Sequence, residues 1–226
     1  MKVSIIIPVY NEKATVKEIV SRVKKQKIRG TVKEIIIIDD GSTDGSTKII
    51  QKIKGVKKVL FPKNRGKGAA VRAGIKKAAG EYILIQDADL EYDPADYKIL
   101  LAPIIKGKAK VVYGSRFLGP HKNMFFWHAL ANQFLSFVTN ILYNTTLSDM
   151  EVGYKVFPRK LALDLNLSAN GFAFEPEITA KILKEGVRIF EVPTTYCGRE
   201  YSEGKKIKAR DALIALFTLI KYRIVD

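Results

Sequence analysis

An α/β fold built on a mostly parallel sheet flanked by helices is predicted by three observations. Short apolar runs alternate with helix-period stripes through the first 115 residues. The runs are nearly continuous rather than alternating, as expected of strands buried on both faces. Polar clusters follow several runs, at what would be the carboxyl edge of the sheet, where open sheets of this kind bind ligands.

Residues 3–7 are the first strand, which Pro8 ends. Residues 15–27 place Val16, Ile19, Val20 and Val23 at i, i+3, i+4 and i+7, one face of a helix. A strand over 34–38 ends in Asp39-Asp40-Gly41, and a helix over 46–54 leads to a strand over 56–61. A helix over 67–79 precedes a strand over 82–86, which ends in Asp87-Ala88-Asp89. Asp93-Pro94 opens another helix with proline at its first position, and a strand over 111–113 closes this half. The second half differs. Residues 125–143 are rich in aromatic and aliphatic side chains and read as a helix. A turn and a strand run to Phe157, followed by a helix around 177–185 and a strand over 187–192. From Gly204 the chain is basic, then apolar, and is expected to be helical. No repeat or low-complexity linker divides it, so residues 1–204 read as one domain and 205–226 as a C-terminal extension.

With 47% apolar and 27% charged residues among 226, the composition is that of a globular protein and excludes wholesale disorder. Cys197 is the sole cysteine, which excludes an intramolecular disulfide and a cysteine-based metal site and fits a reducing compartment. The N-terminal apolar run is too short for a signal-peptide core, and no run reaches the 18 or so residues of a membrane span. The net charge of +16 would attract nucleic acid, anionic lipid or phosphorylated substrates; a lysine-rich surface is the plainer reading.

Asp87, Asp89 and Glu91 carry the strongest chemical signal. In an extended segment, residues i, i+2 and i+4 point the same way. Two or three converging carboxylates want a hard divalent cation, Mg²⁺ or Mn²⁺, with positions left for phosphate oxygens. The alternative is an acidic loop capping the next helix. Asp39, at a strand end, suits a ribose or a base, or else a turn and helix cap. Residues 64–68 (NRGKG) open a helix whose backbone donors, with Lys67, suit phosphate, or else form a flexible helix start. No GxGxxG follows the first strand and no Walker lysine exists, so dinucleotide and P-loop readings lose support.

Residues 5–12 (IIIPVYNE), 39–42 (DDGS), 64–74 (NRGKGAAVRAG) and 87–91 (DADLE) together resemble family 2 glycosyltransferases of the GT-A fold. Residues 114–117 (GSRF), 148–157 (SDMEVGYKVF), 174–178 (FEPEI) and 198–206 (GREYSEGKK) are similar to dolichol-phosphate mannose and glucose synthases. The resemblance runs from about residue 3 to residue 211. It implies an inverting hexosyl transfer from a nucleotide diphosphate sugar, GDP-mannose or UDP-glucose, to a polyprenyl phosphate. It places Pro8, Tyr10, Glu12, Ile37, Asp39, Asp87, Ala88 and Asp89 at the nucleotide sugar. Asp87 and Asp89 would hold the metal with Glu91 as third ligand, where many members carry glutamine. Arg116 would contact the sugar and phosphate region, and Arg199 and Lys205 would lie on a loop closing over the phosphates. Asp149 is a candidate base or orienting group, or else a structural carboxylate. The acceptor phosphate is already anionic, so no strong base is required.

Some members carry C-terminal membrane spans that this sequence lacks. Peripheral attachment on the cytoplasmic face, or a membrane-spanning partner, is therefore expected. Residues 125–143 fit an amphipathic helix in the headgroup region or a core helix covering the sheet. Lys205, Lys206, Lys208 and Arg210 before the apolar 212–220 suit an anionic surface. Two enzymatic readings remain, a lipid phosphate acceptor or a soluble or polysaccharide one. A basic nucleic-acid-binding protein has no use for Asp87 and Asp89, and no nucleic-acid partner is expected.

Overall fold

The first pair of strands already fixes the working edge of the molecule. In the computed structural model, which describes residues 1–200 and 209–225, β1 (Lys2–Val9) runs parallel to β2 (Val32–Asp39), with Val9 opposite Asp39. Both strands therefore deliver their last residues to one edge. β3 (Lys57–Leu60) extends the sheet beyond β2, and β4 (Tyr82–Ile85) flanks β1 on its other side, all parallel. Among the described residues, seven strands form this sheet in the order β3-β2-β1-β4-β7-β5-β8.

Helices α1 (Val16–Lys25), α2 (Ser46–Lys52) and α3 (Lys67–Lys77) connect these first strands. Val16, Ile19, Val20 and Val23 of α1 are all buried, as the stripe predicts. The strands are the near-continuous core that their sequence implies, with Ile5, Ile6, Ile7, Ile36, Ile37 and Ile38 buried. Asp93 caps a 3-10 turn (Pro94–Asp96) by accepting from the Ala95 amide. This turn leads into α4 (Tyr97–Ile105) and then β5 (Val111–Ser115).

Among the described residues, the second half breaks the parallel pattern of the sheet once. β7 (Lys155–Pro158) runs antiparallel between β4 and β5. The cause is topological. After β5 the chain stays at the carboxyl edge through a short β6 (His121–Lys122) and α5 (Phe126–Tyr143), so its return strand must run backwards. That return lays the loop before β7 on the same edge as the ends of β1, β2 and β4. A six-residue helix, α6 (Arg159–Asp164), follows; it is too short to show a period in sequence. Helix α7 (Phe174–Lys184) then leads to β8 (Ile189–Pro193), parallel to β5, and β9 (Tyr196–Cys197), which pairs with β6.

Helix α8 (Ala209–Ile224) is the helix expected of the C-terminal segment. It packs on α5 through Leu135, Ala215 and Leu219, with Met150 of the loop that precedes β7 in the same cluster. Its Tyr222 hydroxyl donates to Glu177 of α7 at 2.8 Å. Lys205, Lys206 and Lys208 lie outside the described residues.

Candidate active site

A cavity of about 670 Å³ opens along the carboxyl edge of the sheet. The ends of β1, β2 and β4 and the loop before β7 bring side chains to it, joined by residues from α3, α5, α7, α8 and the segments after β5 and β9. The β1 end is held in place by its neighbour. Asn11, at φ 53°, accepts from the Thr43 amide at 2.8 Å, and the Glu12 amide donates to Ser46 Oγ at 2.9 Å. Pro8, Tyr10 and Glu12 thereby line the cavity.

The β2 end turns differently from the expectation. Ile37 lies inside the sheet opposite Ile7, and Asp39 is buried in the β2–α2 turn, accepting from the Ser42 amide at 3.1 Å and from Thr47. Neither is in the cavity wall; Asp40 is. Its carboxylate accepts from Asn64 Nδ2 and the Arg65 and Gly66 amides at 2.7–3.0 Å. Burial still raises its pKa, with these bonds opposing. Gly66 has φ 94°, and a Cβ there would meet the Asn170 carbonyl at 2.4 Å, so the start of α3 lies tight against the 168–171 loop.

The acidic cluster after β4 is not an extended continuation of the strand. Residues 88–91 form a turn, with Leu90 at φ 66° and the Glu91 amide donating to Asp89 Oδ1 at 3.1 Å. Asp87, Ala88, Asp89 and Glu91 nonetheless all line the cavity. Burial, with Asp87 and Glu91 adding like charge, pushes Asp89 up to about 7. Lys67 is engaged at the base of the cluster, 2.8 Å from Asp87 and 3.1 Å from Glu175. Among the described residues, no three His, Cys, Asp or Glu side chains are arranged so that they alone could hold a metal ion.

Two arginines reach the cavity in contrasting ways. Arg116 is buried and bidentate to Asp149, at 2.7 and 2.8 Å, and its own amide donates to the same carboxylate at 2.9 Å. Asp149 is thus saturated from one side. This is the arrangement of an orienting group rather than of a free base. Arg199 instead spreads over three carboxylates, at 3.1 Å from Glu12, 3.5 Å from Asp89 and 3.8 Å from Glu91. Lys205 lies outside the described residues.

Several site residues carry no role in the motif reading. Glu175 pairs with Lys67 and with the fully buried Lys155, the latter at 2.5 Å. Tyr196 donates to Glu91 at 3.1 Å and lies 5.4 Å beneath the Arg116 guanidinium. Glu151 and Gly153 line the cavity from the loop before β7. The available signal was charge in apolar surroundings, since Glu175 and Lys155 sit among residues that must be buried.

Phe125, Trp127, His128 and Ala131, at the start of α5, and Asp211 and Ala212 of α8 also line the cavity. Beyond it, Phe126, Trp127, Leu130, Phe134, Phe137 and Ile141 of α5 are exposed, Trp127 by 74%. On α8, Leu213, Ile214, Phe217, Ile220 and Ile224 are exposed, Phe217 by 71%. No helix among the described residues is long and apolar enough to cross a membrane.

Known proteins share this architecture. Over its whole length the chain superposes on 81% of the glucosyl-3-phosphoglycerate synthase of Mycobacterium tuberculosis, solved with Mn²⁺, UDP and glucosyl-3-phosphoglycerate, at a TM-score of 0.76 and 19% identity. That likeness establishes the GT-A fold. In sequence, the chain is 29% identical to glycosyltransferase AglJ of Haloferax volcanii over 87% of its length, spanning 63% of that protein. It is 30% identical to a dolichol-phosphate mannosyltransferase of Pyrococcus furiosus over 91% of its length, spanning 59% of that one. The model of the family described as glycosyl transferase family 2 matches residues 4–165, a stretch that runs from β1 through the Asp87–Asp89 turn to the strand behind Asp149. The chain belongs to glycosyl transferase family 2.

Proposed function

We propose that the protein transfers a hexose from a nucleotide diphosphate sugar to a polyprenyl phosphate at a membrane surface, with inversion at the anomeric carbon. The observation that carries this reading is that α5 and α8, which supply part of the cavity wall, also carry exposed apolar faces. The cavity itself holds a cluster of carboxylates. A soluble acceptor needs no such faces, whereas a lipid phosphate must present its headgroup while its tail stays in the bilayer. The named mannosyltransferase relative supports the acceptor class.

The nucleotide would lie along Pro8, Tyr10, Glu12 and Asp40, with Asn64 and Lys67 toward the diphosphate. Asp87 and Asp89 would hold Mg²⁺ or Mn²⁺ together with oxygens of the donor phosphates, while Glu91, the expected third ligand, accepts from the Tyr196 hydroxyl and the Arg199 amide. The fit is chemical: the donor set is all oxygen, and these acids already draw a cation, since Arg199 lies across Asp89 and Glu91. The ion, when bound, supplies positive charge to the leaving diphosphate. Asp149 holds the Arg116 fork in a fixed orientation, and the guanidinium then offers its remaining donors to phosphate or sugar oxygens. Arg199 follows the phosphates when it leaves its carboxylates. The acceptor oxygen attacks from the face opposite the diphosphate, and its own negative charge removes the need for a base.

The test is a transfer assay with UDP-glucose and GDP-mannose, vesicles containing polyprenyl phosphate, and Mn²⁺. A labelled lipid phosphate sugar supports the reading; transfer only to soluble or polysaccharide acceptors overturns the acceptor. Vesicle binding is expected to be peripheral and salt-sensitive. Arg210, Lys221 and Arg223 are exposed on α8, and each cation near an anionic leaflet contributes about 1 kcal/mol. Cosedimentation with neutral and anionic vesicles measures this, and equal binding to both counts against it.

A further inference from the structure

We propose that Glu151 is the residue that recognises the hydroxyl groups of the transferred sugar. The inference rests on the nucleotide-sugar reading above and assigns the part of the cavity that reads the sugar itself.

Strand order places it. Along the carboxyl edge, the β2 end (Asp40), the β1 end (Pro8 to Glu12) and the β4 turn (Asp87 to Glu91) follow one another, and the loop before β7 comes next. Glu151 is on that loop and lines the cavity. Two residues on, Gly153 packs so closely on the β4 turn that a Cβ there would fall 2.2 Å from Asp87 Oδ2. Glu151 therefore stands just beyond the carboxylates that would manage the diphosphate, on the side away from the nucleotide strands. In a nucleotide sugar, the group beyond the diphosphate is the sugar.

The chemistry narrows the ligand. The other acids of the cavity wall are engaged, Glu12 with Arg199, Asp40 with three donors, Asp87 and Glu175 with Lys67, and Glu91 with Tyr196. Among the described residues, no hydrogen bond or ion pair reaches Glu151, and its Oε1 is shut off from solvent without a partner. That oxygen is closed to a ligand as well as to water, but the residue is partly exposed and lines the cavity, so a donor in the cavity would meet the accessible part of a carboxylate that no described residue satisfies. An acid here repels diphosphate and lipid phosphate alike. Hydroxyl groups are the donors that a nucleotide sugar brings. Burial and the neighbouring Glu175 push Glu151 up to about 7, and a hydroxyl can donate to the carboxylate or accept from the acid. Either protonation state can therefore hold the sugar.

The experiment is calorimetric titration of the whole chain with UDP, GDP, UDP-glucose and GDP-mannose in Mn²⁺, for wild type, Glu151→Ala and Glu151→Gln. For the sugar that the protein accepts, Glu151→Ala should weaken binding by about ten- to a hundredfold, and the matching diphosphate by less than about twofold. Glu151→Gln, which keeps one acceptor oxygen, should fall between. Monodeoxy analogues of that donor locate the contact. One of them should bind wild type about as weakly as the parent donor binds Glu151→Ala, and the variant should no longer distinguish the two. Unchanged donor binding by Glu151→Ala overturns the assignment, as does an equal loss for diphosphate and donor. If wild type binds diphosphates but neither sugar donor better, the sugar reading of the cavity fails along with it. If wild type binds donors and Glu151→Ala is silent, only Glu151 fails.

Discussion

The two ends of the same sheet treat their acids in opposite ways. At the amino end, Glu34 of β2 is met by Ser4 Oγ at 2.5 Å, the Ala79 amide at 2.6 Å and Lys57 at 2.7 Å. Burial alone would raise its pKa, but these partners outweigh it and hold it down at about 2. At the carboxyl end, burial and crowding push Asp89 and Glu151 up to about 7 and raise Asp40 as well. One end uses a carboxylate to stabilise the fold. The other concentrates carboxylates where the isolated fold gains least from them, which is the mark of a site kept for a ligand.

The largest expected effect is at the carboxyl end. Excess EDTA, or Asp89→Asn, should lower transfer by about a thousandfold, because the departing diphosphate loses its charge partner. The fold should not suffer. Asn keeps the volume and removes one of three crowded charges, so the melting temperature should hold or rise. Full activity in EDTA would break the contrast, as would an unfolded Asp89→Asn.

Next in size is the opposite substitution at the amino end. Glu34→Gln should cost on the order of 2 kcal/mol at neutral pH, after allowance for screening of Lys57, which is 41% exposed. The sign follows from the depressed pKa. The folded state binds fewer protons than the unfolded chain between about 2 and the ordinary 4.5. The contribution is therefore complete above 4.5 and is lost as pH falls toward 2. Urea denaturation across that window should show wild type losing stability on acidification, with a flatter slope in the variant. Transfer activity, measured on folded protein, should be unaffected. A matching slope in both proteins would show that Glu34 does not carry this term.

How far the sequence reveals these ends follows from physics. The strands and α1 were legible because burial on two faces, or on one stripe, writes a period into the chain. Asp87, Asp89 and Arg116 were legible because each sits in a motif next to a strand. The antiparallel β7 was not, since nothing in residues 155–158 records which way the chain enters the sheet. That single reversal carries Asp149, Glu151 and Gly153 to the site. Likewise the difference between Asp39 and Asp40 is one residue of phase at a strand end, decided by the bonds of Thr47 and Asn64 from elements beyond the strand. Amphipathicity announced α5 in sequence, but two readings stayed open there. The exposure of Trp127 and Phe137 favours the outward-facing one.

The smallest expected effect separates the two arginines of the carboxyl end. Arg116 is closed on Asp149 at 2.7 and 2.8 Å with both groups buried, so its position is fixed before any substrate arrives. Arg199 is held by longer contacts to three acids, 3.1 to 3.8 Å, and keeps 17% of its side chain exposed. Among the described residues, its Nε has no hydrogen-bond partner. Such a group is held by charge more than by geometry, and phosphate can compete for it. Planarity matters in that exchange, because a guanidinium can pair with two phosphate oxygens at once and an ammonium cannot. Arg199→Lys keeps the charge that the three acids attract, so it should cost no more than about 1 kcal/mol of stability, and it should lose about tenfold in kcat/KM. Steady-state kinetics with donor and acceptor varied in turn measure it, with Arg199→Ala losing more. If both variants match wild type in turnover and in apparent affinity for each substrate, Arg199 has no part in handling phosphate. The contrast between a fixed and a competing arginine then falls.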